Sequence, residues 1–322
     1  MKILLRCIVA VIALFTIVGM TGCSWWDKDK QGAFQGSGYR KMLELQKQKA
    51  AVLNEDTGAE KNIPEPDAAD MERLGDQYVR QGNLNMAFVY YDKSLQMEPK
   101  RSAARYKKGS LFLSKGMTGE AAAEFDAILK NDEQFAYAYE GKGRTALAQG
   151  KLEEAKEQFK KALQLNPDLW DAYSFLGIIC DRERRFTEAI GYYHKAIAIN
   201  PRSATLFNNL GMSYSLAGEY TKALQSYITA VKLDPNNKKT YNNMGIVLGK
   251  LGRYDEALDA FKKVGDEASA YNNLGCIYLA EKNYQEAIAA FQRAIEINPR
   301  FYVKAKENMR YAEALMKAQG AN

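Results

Sequence analysis

The sequence holds one histidine, His194, in 322 residues, and only four cysteines and seven prolines. A lone imidazole with no partner offers no general-base arrangement, and Walker, GxSxG and HExxH patterns are missing too. The chain therefore reads as non-catalytic, with no cofactor and no small-molecule substrate. No CxxC pair or Cys/His cluster has metal-ligand spacing, so no metal site is expected, and His194 is placed on an outer helix face. Charge of one sign is scarce: 45 Lys and Arg stand against 39 Asp and Glu, and the formal charge of +6 falls to +4 without Lys2 and Arg6. That balance argues against nucleic acid as a partner. Scarce proline with abundant Ala, Leu, Tyr, Lys and Glu favours helices.

The chain opens as a targeting device. Lys2 and Arg6 precede an almost wholly apolar run, Ile8 to Val18, and small or unbranched residues lead to Cys23. The apolar stretch from Cys7 to Met20 is shorter than the roughly 20 residues a membrane-spanning helix needs. Residues 1–22 thus read as a secretory signal. Met20-Thr21-Gly22-Cys23 resembles the bacterial lipobox, with Met20 where Leu is usual. The resemblance implies cleavage before Cys23 and lipidation of that residue, an ordinary cleaved signal being the alternative. Several acyl chains give stable membrane anchoring. Ser24 in place of Asp implies delivery to the periplasmic face of the outer membrane in a Gram-negative cell. Residues 23–67, rich in Gly, Gln, Lys, Asp and Ser, read as a flexible tether with an end-to-end distance on the order of 40 Å. Trp25 and Trp26 suit the membrane interface, and Met42 to Leu53 is too irregular for a confident helix.

The body repeats. A period of 34 residues gives units 68–101, 102–135, 136–169, 170–203, 204–237, 238–267 and 268–301. Glycine stands at position 8 of each (Gly75, Gly109, Gly143, Gly177, Gly211, Gly245, Gly275), alanine at position 20, and an aromatic at position 24. Glycine inside a helix costs roughly 1 kcal/mol relative to Ala, which points to close helix packing; the expectation is that this glycine faces the position-20 alanine of the second helix. Gly82, Gly116, Gly150, Gly218 and Gly252 stand where a left-handed residue ends the first helix. Pro99, Pro167, Pro201, Pro235 and Pro299 stand where the second helix must stop. Cys180 and Cys276 lie too far apart in such an array for a disulfide and read as small apolar packing residues.

This pattern resembles the tetratricopeptide repeat family, with Tyr139, Tyr173, Phe207, Tyr241 and Tyr271 where that family has Trp. The resemblance implies an all-α solenoid of seven helix-turn-helix repeats plus a C-terminal capping helix (302–322), wound as a right-handed superhelix. The second unit is the least typical, with Ile128 and Glu133 in place of Ala and Pro. The sixth is four residues short, close to one helical turn, so its second helix is expected to lose its last turn.

A scaffold that binds other proteins or extended peptide segments follows from the resemblance. Lipobox and repeats together are similar to pilus-biogenesis lipoproteins of the type IV pilotin and TadD-like groups, so assembly of a pilus or secretion complex is the leading expectation. An adaptor for a cell-wall or exopolysaccharide enzyme and a self-associating envelope protein are the alternatives. The sequences Phe207-Asn208-Asn209-Leu210-Gly211, Tyr241-Asn242-Asn243-Met244-Gly245 and Tyr271-Asn272-Asn273-Leu274-Gly275 place an asparagine ladder on three first helices. Each amide offers a donor and an acceptor, so it can pair with a peptide backbone whatever the peptide's side chains. Arrays that resemble this one use the second Asn, nominating Asn209, Asn243 and Asn273, flanked by Asn208, Asn242 and Asn272. Met212, Leu216, Ile246 and Leu279 would add apolar contacts. Lys239 alone fits a carboxylate clamp.

Overall fold

In the computed structural model, residues 66–299 and 302–320 are described. The signal sequence, Cys23 and the tether up to residue 65 lie outside the described residues. All regular secondary structure among the described residues is helical, and none of these helices is long and apolar enough to cross a membrane. The described helices fall into two compact units, divided between Pro167 and Asp168, called below the N-terminal and C-terminal units.

The N-terminal unit comprises three helix pairs: α1 (Ala68–Arg80) with α2 (Leu84–Met97), α3 (Ser102–Ser114) with α4 (Thr118–Leu129), and α5 (Ala136–Ala148) with α6 (Leu152–Leu165). Its first helix is closed by a capping box. The Asp67 carboxylate accepts from the Asp70 N–H at 2.7 Å, and the Asp70 carboxylate accepts from the Asp67 N–H at 3.0 Å. Two orphan donors of the first turn are thereby satisfied.

The C-terminal unit has four pairs and a terminal helix. The pairs are α7 (Trp170–Arg182) with α8 (Phe186–Ile199), α9 (Ala204–Leu216) with α10 (Tyr220–Leu233), α11 (Lys238–Lys250) with α12 (Tyr254–Lys262), and α13 (Glu267–Ala280) with α14 (Tyr284–Ile297); α15 (Tyr302–Gly320) follows. The short helix is α12, with nine residues against fourteen in α8, α10 and α14. It still buries Ala257, Ala260 and Phe261 on one face. Asp266 then starts α13 by accepting from the Ser269 N–H at 2.7 Å. Helix α15 lies on α13 and α14, where its Ala305 and Ala312 share a buried cluster with Phe291 and Ala294.

One seam recurs in every pair. A Cβ added at Gly75, Gly109, Gly143, Gly177, Gly211, Gly245 or Gly275 would stand 2.4–2.8 Å from a ring carbon of Tyr91, Phe125, Phe159, Tyr193, Tyr227, Phe261 or Phe291, respectively. The side chain nearest to the glycine is therefore the position-24 ring, where the sequence expectation places the position-20 alanine. Alanine at position 20 is fully buried in all seven repeats, so the two small residues serve separate contacts. The ring needs the space because its carbons rest against the first helix at the glycine, where any methyl would force it to shift.

Turns inside the pairs share one geometry. Gly82, Gly116, Gly150, Gly218 and Gly252 have φ between 72° and 80°, and Arg184 and Lys282 hold the same place at 61° and 63°. The next residue's N–H then reaches back to a carbonyl five residues earlier: Asn83 to Tyr78, Arg185 to Cys180, Asn283 to Tyr278, at 2.8–2.9 Å. This is the helix C-terminal motif that favours glycine.

Candidate functional site

Each second helix packs on its own first helix, while in the C-terminal unit α7, α9, α11, α13 and α15 also pack on one another in succession. The asparagine doublets lie on this row of first helices, and their two members face different ways. Asn208, Asn243 and Asn272 are 4%, 5% and 2% exposed; Asn209, Asn242 and Asn273 are half-buried. The buried amides bind the neighbouring helix. Asn208 Oδ1 accepts from Asn243 Nδ2 at 3.1 Å and from Thr240 Oγ1 at 3.3 Å, joining α9 to α11. Asn272 Oδ1 accepts from Asn308 Nδ2 at 3.3 Å, joining α13 to α15. Buried amides must be paired, and here the pairing fastens one repeat to the next.

The accessible amides are Asn209, Asn242 and Asn273. Asn209 Oδ1 accepts from Asn208 Nδ2 at 3.4 Å. Met212, Leu216, Ile246 and Leu279 are half-buried on the same helices. Lys239 is half-buried at the start of α11. The row thus offers amides that can satisfy a backbone, interleaved with apolar side chains of intermediate exposure.

Several groups here escaped sequence reasoning. Thr240 and Asn308 complete the amide pairs, and Asn308 follows Asn272 by 36 residues, two more than the period, so extending the 34-residue register does not reach it. Asp181 on α7 accepts from the Tyr193 hydroxyl at 2.9 Å and from the Ser213 hydroxyl at 2.5 Å. Burial pushes its carboxyl up to about 6, against the pull of those two hydroxyls. His194 is exposed, with Nε2 3.0 Å from the Tyr214 hydroxyl. Among the described residues no group of three His, Cys, Asp or Glu side chains is placed to hold a metal ion.

The N-terminal unit fastens its repeats with charge. Glu72 accepts from Arg101 Nε at 2.5 Å and from Lys107 Nζ at 2.6 Å, and Lys107 also reaches Asp76 at 2.6 Å. Tyr106 donates to Glu140 at 2.7 Å, and Lys142 to Asp126 at 2.6 Å. Burial raises the Glu72 carboxyl, but hydrogen bonds from Lys107 and Arg101 outweigh it and hold the group below its ordinary value.

Helix pairs closed by a ring over a glycine, and joined first helix to first helix, define a tandem repeat protein of the tetratricopeptide class. The chain belongs to the family described as the cilia and flagella-associated protein 70 C-terminal domain, whose model matches residues 36–272. The tetratricopeptide repeat model itself matches residues 268–301. Among solved structures, the Cut9–Hcn1 hetero-tetramer of APC/C is similar with a TM-score of 0.55 at 18% identity, over 76% of this chain and 54% of that one. PilF of Pseudomonas aeruginosa is similar with a TM-score of 0.52 at 18% identity, over 66% of this chain and 96% of that one. A tetratricopeptide repeat protein of Parabacteroides merdae ATCC 43184 aligns over 76% of this chain and 98% of its own, with 18% identity and a TM-score of 0.49. The first two share the fold. No curated protein sequence matches the chain.

Proposed function

We propose that the protein is a non-catalytic interaction scaffold that holds an extended segment of another protein against the first helices of its C-terminal unit. The observation that carries this reading is the set of part-exposed amides, Asn209, Asn242 and Asn273, one from the asparagine doublet of each of three successive first helices. An extended backbone presents N–H and C=O groups at regular intervals, and amides pair with either. The reading moves the middle contact from Asn243, which is bound to Asn208, to its neighbour Asn242. We further propose that Cys23 carries lipid and tethers the scaffold to the envelope, on the periplasmic face of the outer membrane in a Gram-negative cell, where it assists assembly of a pilus or secretion complex. Support for this placement is the sequence Met20-Thr21-Gly22-Cys23 after an apolar run, joined to the repeats.

Photo-crosslinking in the native cell tests the binding face. A crosslinker at Asn242 is expected to trap a partner that one at exposed His194 does not. Changing Asn209, Asn242 and Asn273 together to Ala should weaken that complex by about 1 kcal/mol per hydrogen bond lost. Equal trapping at both places, or unchanged affinity, would move the site elsewhere. Metabolic acyl labelling tests the anchor: label persisting in Cys23→Ala would sink it.

A further inference from the structure

The C-terminal unit contains a part-buried carboxylate, Asp181, that the proposed binding face does not use. Asp181 stands near the end of α7, and its two hydrogen-bond donors come from two other helices: Tyr193 from α8 of the same repeat, Ser213 from α9 of the next. We propose that Asp181, Tyr193 and Ser213 form a proton-operated joint between the fourth and fifth repeats, tight when the carboxyl is protonated and readier to open when it is ionised.

The surroundings carry the inference. Both donors are neutral hydroxyls. The Tyr227 hydroxyl on α10 and the Cys180 thiol on α7 also lie near the cluster, and burial keeps both tyrosines protonated far above neutral pH. Arg182, next in sequence, is exposed, and Arg185 is committed to Glu183 and Glu188. An ionised carboxylate here is thus partly withdrawn from water and hydrogen-bonded to neutral dipoles. Two hydroxyls recover part of the lost hydration, not all of it. Protonation turns one carboxyl oxygen into a donor, and because a hydroxyl can both donate and accept, Ser213 or Tyr193 can reverse its role without moving. The triad therefore keeps its bonds in both states, but only the ionised state gains by opening to water. Since the folded carboxyl is raised to about 6 from an ordinary 3.8, the closed joint binds its proton more tightly than the open one. Opening becomes easier as pH rises between those values and levels off above about 6.

Hydrogen–deuterium exchange on the full chain, corrected for the intrinsic pH dependence of exchange, tests this. Protection of the α7 and α9 amides is expected to fall by up to about a hundredfold between pH 4 and pH 7, with the fall abolished in Asp181→Asn. Carbon-13 titration of the Asp181 carboxyl in the parent chain is expected to show a midpoint near 6, and Ser213→Ala to raise it. The joint is refuted by a midpoint below about 5, by pH-independent protection in the parent, or by a fall that persists in Asp181→Asn.

Discussion

The two units share one seam within their repeats and differ in how they join one repeat to the next. In the N-terminal unit the joints are ionic: Glu72 holds Arg101 and Lys107, Lys107 also holds Asp76, and Lys142 holds Asp126. In the C-terminal unit they are mostly amide and hydroxyl bonds: Asn243 and Thr240 on Asn208, Asn308 on Asn272, and Ser213 on the Asp181 carboxyl, with Lys250–Glu281 as an ion pair. Ion pairs are weakened by salt and by acid, whereas amide pairs respond to neither. The same helix-pair design therefore yields two stretches with opposite sensitivities. Glu72, held below its ordinary 4.5, stabilises its unit above that value, and this is lost as acid protonates it. Asp181, held above its ordinary value, makes its unit most stable in acid and costs stability as pH rises towards 6.

The largest expected effect tests what the units share. Phe125 is fully buried, and its ring meets Gly109 of its own repeat and Gly141 of the next, where an added Cβ would come within 2.7 and 2.5 Å. Phe125→Ala should cost about 3–5 kcal/mol by chemical denaturation. It should cost more than Phe261→Ala, whose ring meets Gly245 alone among the glycines. Equal losses would mean that the second glycine contact adds nothing.

The ionic joint comes next. Glu72→Ala leaves two cations facing a site built for a carboxylate and should cost about 2 kcal/mol at low salt. Because Arg101 and Lys107 are each about one-third exposed, much of that cost should vanish in molar salt. A loss insensitive to salt would show that Glu72 acts through packing. On the neutral side, Asn208→Ala strands the Asn243 amide and the Thr240 hydroxyl together, and should cost about 1–2 kcal/mol at any ionic strength. Thermal unfolding of both variants across a salt series sets the two joints side by side.

The sequence made the period, the glycine and aromatic positions and the turns legible, because each requires a residue type at a fixed spacing. Side-chain direction is another matter. A 34-residue period says that Gly211 and Tyr227 recur, not that the ring lies over the glycine. The asparagine doublets show the same limit: neighbours on a helix point about 100° apart, so one amide of each pair turns towards the next helix and one turns out. Which one turns in depends on small rotations of the helices. Asn208 and Asn272 turn in at position 5, but Asn243 does so at position 6. Asp181 was invisible because its meaning depends on two hydroxyls from other helices, 12 and 32 residues away.

The smallest expected effect again separates the units, through the turns inside the pairs. All three turns of the N-terminal unit have glycine in the left-handed position, whereas the C-terminal unit has Gly218 and Gly252 but also Arg184 and Lys282. A side chain there suffers a clash between Cβ and carbonyl of about 1–2 kcal/mol. Both residues are exposed, so no buried contact offsets the strain. Arg184→Gly and Lys282→Gly should relieve it, less the greater entropy that glycine gives the unfolded chain. A net gain of about 0.5–1 kcal/mol each is expected in denaturant midpoints, and the two gains should add, since the turns lie three repeats apart. Gly150→Arg, the reverse change in the N-terminal unit, should cost a similar amount, because a Cβ there meets no neighbour and backbone strain alone is at stake. If Arg184→Gly instead destabilised the chain, the guanidinium would have to contribute more than the strain it imposes.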